Sequence, residues 1–181
     1  MDTVVENRRG IIATAILNHL LCAVLSILLY LIVFSWAIER WEYATVVFSV
    51  ATSIYYMSRV YAYTFDQPKL DKILKKKYDY LMPLKIGGAS GLIIFIISAT
   101  HFLIYSLNVK IGTIFGIIAR FLNFPFVYFF HGYDGKGFNF LMVIIISILP
   151  IIVSYIAYIL SVKDWSLTKV HDNIVYEKRK K

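Results

Sequence analysis

Four blocks of predominantly apolar residues, 11–38, 44–63, 86–107 and 138–162, restrict what this chain can fold into. Each holds about 20 or more residues, enough at ~1.5 Å of helical rise per residue to span roughly 30 Å of hydrocarbon. The reading that follows is an all-α integral membrane protein with four transmembrane helices in one polytopic domain covering 1–181. Composition agrees, with 59% hydrophobic residues and a mean hydropathy of +0.68. The 19 basic residues exceed the 11 acidic ones by 8, but they cluster between the apolar blocks. Cationic loops of that kind face an anionic leaflet, so the basic balance does not predict nucleic-acid binding.

The connections add detail. Arg8-Arg9 ahead of the first block faintly resembles a twin-arginine signal, yet that block is about twice a signal core and ends without a small-x-small site, so an uncleaved span is expected. Only ERWEY separates the first two blocks, which predicts a tight hairpin with Trp36, Trp41 and Tyr43 at the membrane interface. Between the second and third lies the basic segment 65–85, where Pro68 is expected near the start of a short loop helix and Pro83 near its end.

The stretch GIIARFLNFPFVYFFHGYDGKG, residues 116–137, decides the sidedness of everything after it. Twelve strongly apolar residues between Ile111 and Phe130 outweigh a central Arg120 at roughly +3 kcal/mol, so insertion energy permits a crossing. Charge sidedness opposes one. Without a crossing, Arg8, Arg9, Lys69, Lys72, Lys75, Lys76, Lys77, Lys85, Lys163, Lys169, Lys178, Arg179, Lys180 and Lys181 share one face, leaving Arg40, Lys110, Arg120 and Lys136 on the other. Arg59 then snorkels toward the basic side. With a crossing, the six tail cations change face and the bias nearly vanishes. The expectation is therefore a cytoplasmic membrane of bacterial type, both termini cytoplasmic, and 111–137 held on the outer side as an interfacial or re-entrant segment. Thr113, Gly116, Arg120 and Asn123 fall on one helical face, and Pro125 interrupts the helix.

Small residues form stripes. Gly87 and Gly91 make a G-x-x-x-G pair, while Ser147, Pro150, Ser154, Ala157 and Ser161 alternate at three and four in the last block. Thr45, Ser49 and Ser53 recur four apart in the second. Stripes like these let helices approach closely, which predicts a compact, self-associating bundle; hydroxyls lining a pore are the alternative.

Residues able to carry chemistry are few. His19 and Cys22 share a helical face with Ala15 and Ser26, but a Cys–His pair also needs an orienting group and oxyanion donors, and hydrogen bonding within the bundle is the simpler role. The same holds for His101. Cys22 is the single cysteine, so no intramolecular disulfide forms. No cofactor or metal is predicted. All eleven carboxylates lie outside the spans or at their ends, which disfavours proton or cation transport by a mid-membrane acid. Arg120, His131 and Lys136 form an outer-face anion candidate. On the basic side, Leu70, Ile73, Leu74 and Leu81 share one face among lysines, so Lys69, Lys72, Lys75, Lys76, Lys77 and the tail's Trp165 are candidates for binding anionic lipid or a cytoplasmic protein. The function that fits this plan is a non-enzymatic membrane subunit or sensor, for example of a defence, immunity or export system. An oligomeric channel or small-solute transporter is the rival, and a lipid-modifying enzyme a more distant one.

Overall fold

The computed structural model describes residues 2–34, 36, 41, 43–74, 76–131 and 139–163; for 2–9, 34 and 131 it describes the backbone alone. Every regular element among the described residues is helical. Helix α1 (Asp2–Leu29) runs into a π-helical turn at Tyr30–Phe34, followed by α2 (Ala44–Ile73) and α3 (Met82–Leu107). Then come α4 (Val109–Leu122), a 3-10 turn at Phe124–Phe126, the short α5 (Val127–His131) and finally α6 (Phe140–Val162).

Three helical stretches, Gly10–Val33, Met82–Leu107 and Phe140–Val162, are each long and apolar enough to cross a membrane. Helix α2, whose apolar part carries Arg59 among hydroxyls and tyrosines, does not reach that measure. Residues 109–130 reach it only as a pair of helices bent by 92°. Among the described residues there are thus three or four candidate spans.

The loop helix expected between Pro68 and Pro83 is not a separate element. Helix α2 continues through Pro68 to Ile73, and Pro83 stands in the first turn of α3. Pro68 removes one helical hydrogen bond, normally a loss of about 3 kcal/mol in a helix interior. Here Val60, Thr64 and Pro68, four apart, are all buried, and that continuous contact offsets the lost bond. At α3 the missing N–H of Pro83 falls where no helical partner exists, so proline fits the helix start.

The best-packed pair is α3 with α6. A Cβ at Gly87 would lie 2.6 Å from the Ile151 Cα and 2.8 Å from the Ser154 Oγ. At Gly91 it would run into the Ser147 carbonyl oxygen. Ser147, Pro150, Ser154, Ala157 and Ser161 are all buried, and Thr64 Oγ1 donates to Ser154 Oγ at 3.3 Å from α2. The small-residue seam is therefore occupied within the chain. This removes it as an argument for self-association and as the lining of a pore.

Helix α4 turns back along α3. Gly112 meets the Tyr105 backbone, and a Cβ on Gly116 would come 2.7 Å from His101 Nε2. Its buried face consists of Gly112, Gly116 and Ala119, continued by Asn123, whereas Thr113 and Arg120 are exposed. The polar face expected from sequence is thus split, because close approach of two backbones in an apolar medium is set by small residues rather than by polarity.

Contacts also fix the directions of the helices. Ile11 of α1 clusters with Met82, Ile86 and Tyr158, and Tyr80 meets Tyr158 edge-on at 6.0 Å. Toward the other end Tyr30 packs against Phe48 and Phe124, and Phe102 against Phe140. The start of α1, the end of α6 and the 74–81 turn consequently lie at one end of the bundle.

Glycines on α3 give a direct test. Gly91→Ala should destabilise the detergent-solubilised protein by about 1–3 kcal/mol through overpacking. Gly88→Ala, where a Cβ meets nothing within 4 Å, should leave the melting temperature unchanged or slightly raised. Equal melting temperatures for the two variants would refute the seam.

Candidate functional site

The bend after α4 is buried, not spread over a surface. Asn123, Pro125 and Phe126 are all inaccessible, and their polar groups are matched from two long helices. Thr52 Oγ1 and Ser53 Oγ of α2 donate to the Pro125 carbonyl at 3.0 and 3.1 Å. Asn123 Nδ2 donates to Ser98 Oγ at 2.9 Å and weakly to the Ile94 carbonyl at 3.4 Å, both on α3. Thr52 and Ser98 stand well inside their helices, so the break sits deep in the bundle. After α5 the Asn139 N–H donates to the Phe130 carbonyl at 2.8 Å, which ties the end of this segment to the start of α6.

Histidine and cysteine complete this interior. On α1, Ala15, His19, Cys22 and Ser26 form one buried stripe. His19 Nδ1 lies 3.4 Å from the Tyr56 hydroxyl, which in turn faces the Ser90 carbonyl at 3.5 Å. Its Nε2 is buried without a hydrogen bond. Cys22, wholly buried, packs with Tyr56, Ile94, Phe126 and Phe130. This histidine holds three elements together, and the thiol is a core atom out of reach of solvent.

Of the outer anion candidates, Arg120 alone has a described side chain. Arg120 lines a cleft of about 10 Å³ with Ser98, His101 and Asn123, roughly room for one water and too small for a phosphate. His131 ends α5 and only its backbone is described, while Lys136 lies outside the described residues.

The basic segment is more informative. Because α2 continues as a helix to Ile73, Leu70, Ile73 and Leu74 form an exposed apolar face at i, i+3 and i+4, and Leu81 is exposed beyond it. Lys69, Lys72, Lys76 and Lys77 are exposed around this face. Lys75, Trp165 and the tail lie outside the described residues. The turn itself is braced: Asp79 accepts from the Leu81 N–H at 3.0 Å and pairs with Lys85, and the Lys76 N–H donates to the Asp71 carbonyl at 2.9 Å. Asp71 Oδ2 is buried without a hydrogen bond. Burial raises its carboxyl above the ordinary range; Lys76 and the Asp79 backbone oppose the rise, and the Asp79 charge adds to it.

Known protein families, curated proteins and solved structures contain no match to the chain. Function is therefore argued from this geometry.

Sequence reading pointed to Ser53 only as part of a packing stripe and missed Thr52 and Asn123 as anchors of the break. The signal was an asparagine two residues before a proline inside an apolar run, a place where freed backbone groups need partners.

Cys22 reports on this interior. Thr52→Val with Ser53→Ala leaves the Pro125 carbonyl unpaired, at a cost of about 1–3 kcal/mol. A membrane-permeant thiol reagent should label the wild-type cysteine slowly and the double variant about tenfold faster or more, as opening becomes easier. Unchanged labelling would show that the hydroxyls do not hold the segment.

Asp71 predicts a pH effect. An acid whose pKa is raised on folding destabilises the folded form wherever it is ionised, and this penalty fades as pH falls toward the unfolded value near 3.9. Asp71→Asn should raise the melting temperature at pH 7, with the gain shrinking toward zero near pH 4. A pH-independent gain would assign the effect to something other than ionisation.

Proposed function

We propose that the chain is a non-enzymatic membrane subunit or sensor that engages a cytoplasmic partner through the basic extension of its second long helix. The observation carrying this reading is the unbroken helical continuation of α2 past its apolar part, with Leu70, Ile73 and Leu74 exposed and lysines around them. A topology signal needs only charge. An exposed apolar face on a helix joined directly to the bundle offers a docking surface whose movement the bundle would feel.

In this reading α1, α2, α3 and α6 cross the membrane, and the bent pair enters and leaves on one side as a re-entrant element. Two features support it: the 14-to-4 charge split read from the sequence, and the position of the start of α1 and end of α6 beside the 74–81 turn. That end is assigned to the cytoplasm of a bacterial-type inner membrane. Self-association and a serine-lined channel are not part of the reading, because the seam that would serve them packs α3 against α6.

The test separates anchoring from docking. Lys75, Lys76 and Lys77 changed to glutamine, and separately Leu70, Ile73 and Leu74 changed to serine, should leave membrane insertion intact, since Lys69, Lys72, Lys85 and the tail still favour the same topology. Each variant should lose soluble proteins that co-isolate with the wild type from native membranes. Unaltered co-isolation by both variants would sink the docking reading.

A further inference from the structure

Between α2 and α6 runs a groove of about 570 Å³, within the roughly 300–1,000 Å³ of small-molecule sites. Ile54, Met57 and Tyr61 form one wall; Ile145, Leu149 and Val153 form the other; Phe126 and Phe129 close in from the bent segment. The serines at its margin offer it nothing polar, since Ser53 donates to the Pro125 carbonyl and Ser58 to the Tyr55 carbonyl. From Val50 to Tyr61 the α2 wall is about 16 Å long at ~1.5 Å per residue, close to one leaflet of a ~30 Å hydrocarbon core.

One end of this apolar trough is cationic. The α2 stripe that forms its wall continues from Tyr61 to Phe65, whose rings stack at 5.6 Å and 15°. Lys69 Nζ then sits 4.3 Å above the Phe65 ring. On α6 the wall positions 149 and 153 continue in register through 156 and 160 to Lys163, which is exposed at the helix end. Lys69 also pairs with Asp66 at 2.9 Å, but both side chains are more than half exposed, and such a pair contributes little and yields to a competing anion.

The walls also identify the shape of the occupant. Helices that associate inside a bilayer meet through small residues, and these walls are built from isoleucine, leucine, methionine and aromatic side chains. A slender chain fits them better than a helix of about 10 Å diameter. We propose that the groove holds an acyl chain of an anionic phospholipid whose phosphate lies between Lys69 and Lys163. The headgroup end of the site borders the partner-docking face: Ile73 follows Lys69 at i+4 on the same stripe, while Leu70 and Leu74 lie further round the helix.

The experiment uses the full chain, purified in mild detergent and exchanged with phosphatidylglycerol or phosphatidylcholine, with retained lipid read by native mass spectrometry. Wild type should retain one phosphatidylglycerol, preferred over phosphatidylcholine by about tenfold or more, given two lysines at the headgroup. Ile54→Trp, and independently Ile145→Trp from the opposite wall, should abolish retention of both lipids. Leu141→Trp, at an exposed apolar position outside the groove, should not. Lys69→Gln with Lys163→Gln should keep lipid bound but erase the preference. Equal retention of the two lipids by wild type, or lipid bound as before in both groove variants, would overturn the proposal. So would a wild-type dimer that either groove variant dissociates, because the groove would then belong to a second copy.

Discussion

A backbone amide or carbonyl buried away from water must find a partner inside the protein, and the bend at Pro125 is where this chain meets that demand most sharply. Proline has no N–H to give and its ring interrupts the helical ladder. The carbonyl of Pro125 itself accepts from two hydroxyls of α2. Around them the arrangement of the bundle follows: α2 must present Thr52 and Ser53 toward the bend, α3 must present Ser98, and α4 must reach the depth where all three converge. Glycines make this reach possible, because Gly112 and Gly116 let α4 lie directly on α3.

The same economy of side-chain volume governs the pairing of α3 and α6. Lipid tails are as apolar as leucine, so helices gain little by hiding leucine from them. They gain by approaching until backbones touch, which Gly87 and Gly91 permit against Pro150, Ser147 and Ser154. The exposed isoleucines and leucines that cover these helices are the surface expected of a membrane bundle. The polar interior, with His19, Tyr56, Ser98 and Asn123, is the inverse of a soluble core and gives the packing its register.

The proposed function places its contacts at the end of the bundle that carries the basic turn. There α2 outruns its apolar part, and two different surfaces emerge from one helix: an apolar face unpacked by the bundle, and an aromatic-lysine stripe that prolongs the groove against α6. In that proposal α2, continuous from Thr52 at the Pro125 bend to the lysines, would couple the buried interior to whatever binds at that end. Pro68 inside it, held by burial, is the place where such a rod would most easily flex.

Hydropathy, a local property, made the helical class and the long apolar helices legible from sequence. The run 44–63 was legible only in part, since Arg59 and the hydroxyls lower its apolarity while Thr52 and Ser53 find their acceptor at Pro125, far along the chain. Three things depended on tertiary structure. Pro68 proved to lie within α2, where it is buried on one face with Val60 and Thr64, a contact that sequence does not show. The serine and glycine stripes turned inward on each other, a choice between partners within the chain and outside it that periodicity cannot express. Asn123 and Thr52 became the anchors of the bent segment because their hydrogen bonds reach 25 and 73 residues along the chain, and the value of a polar group in an apolar medium is set by the partner it meets.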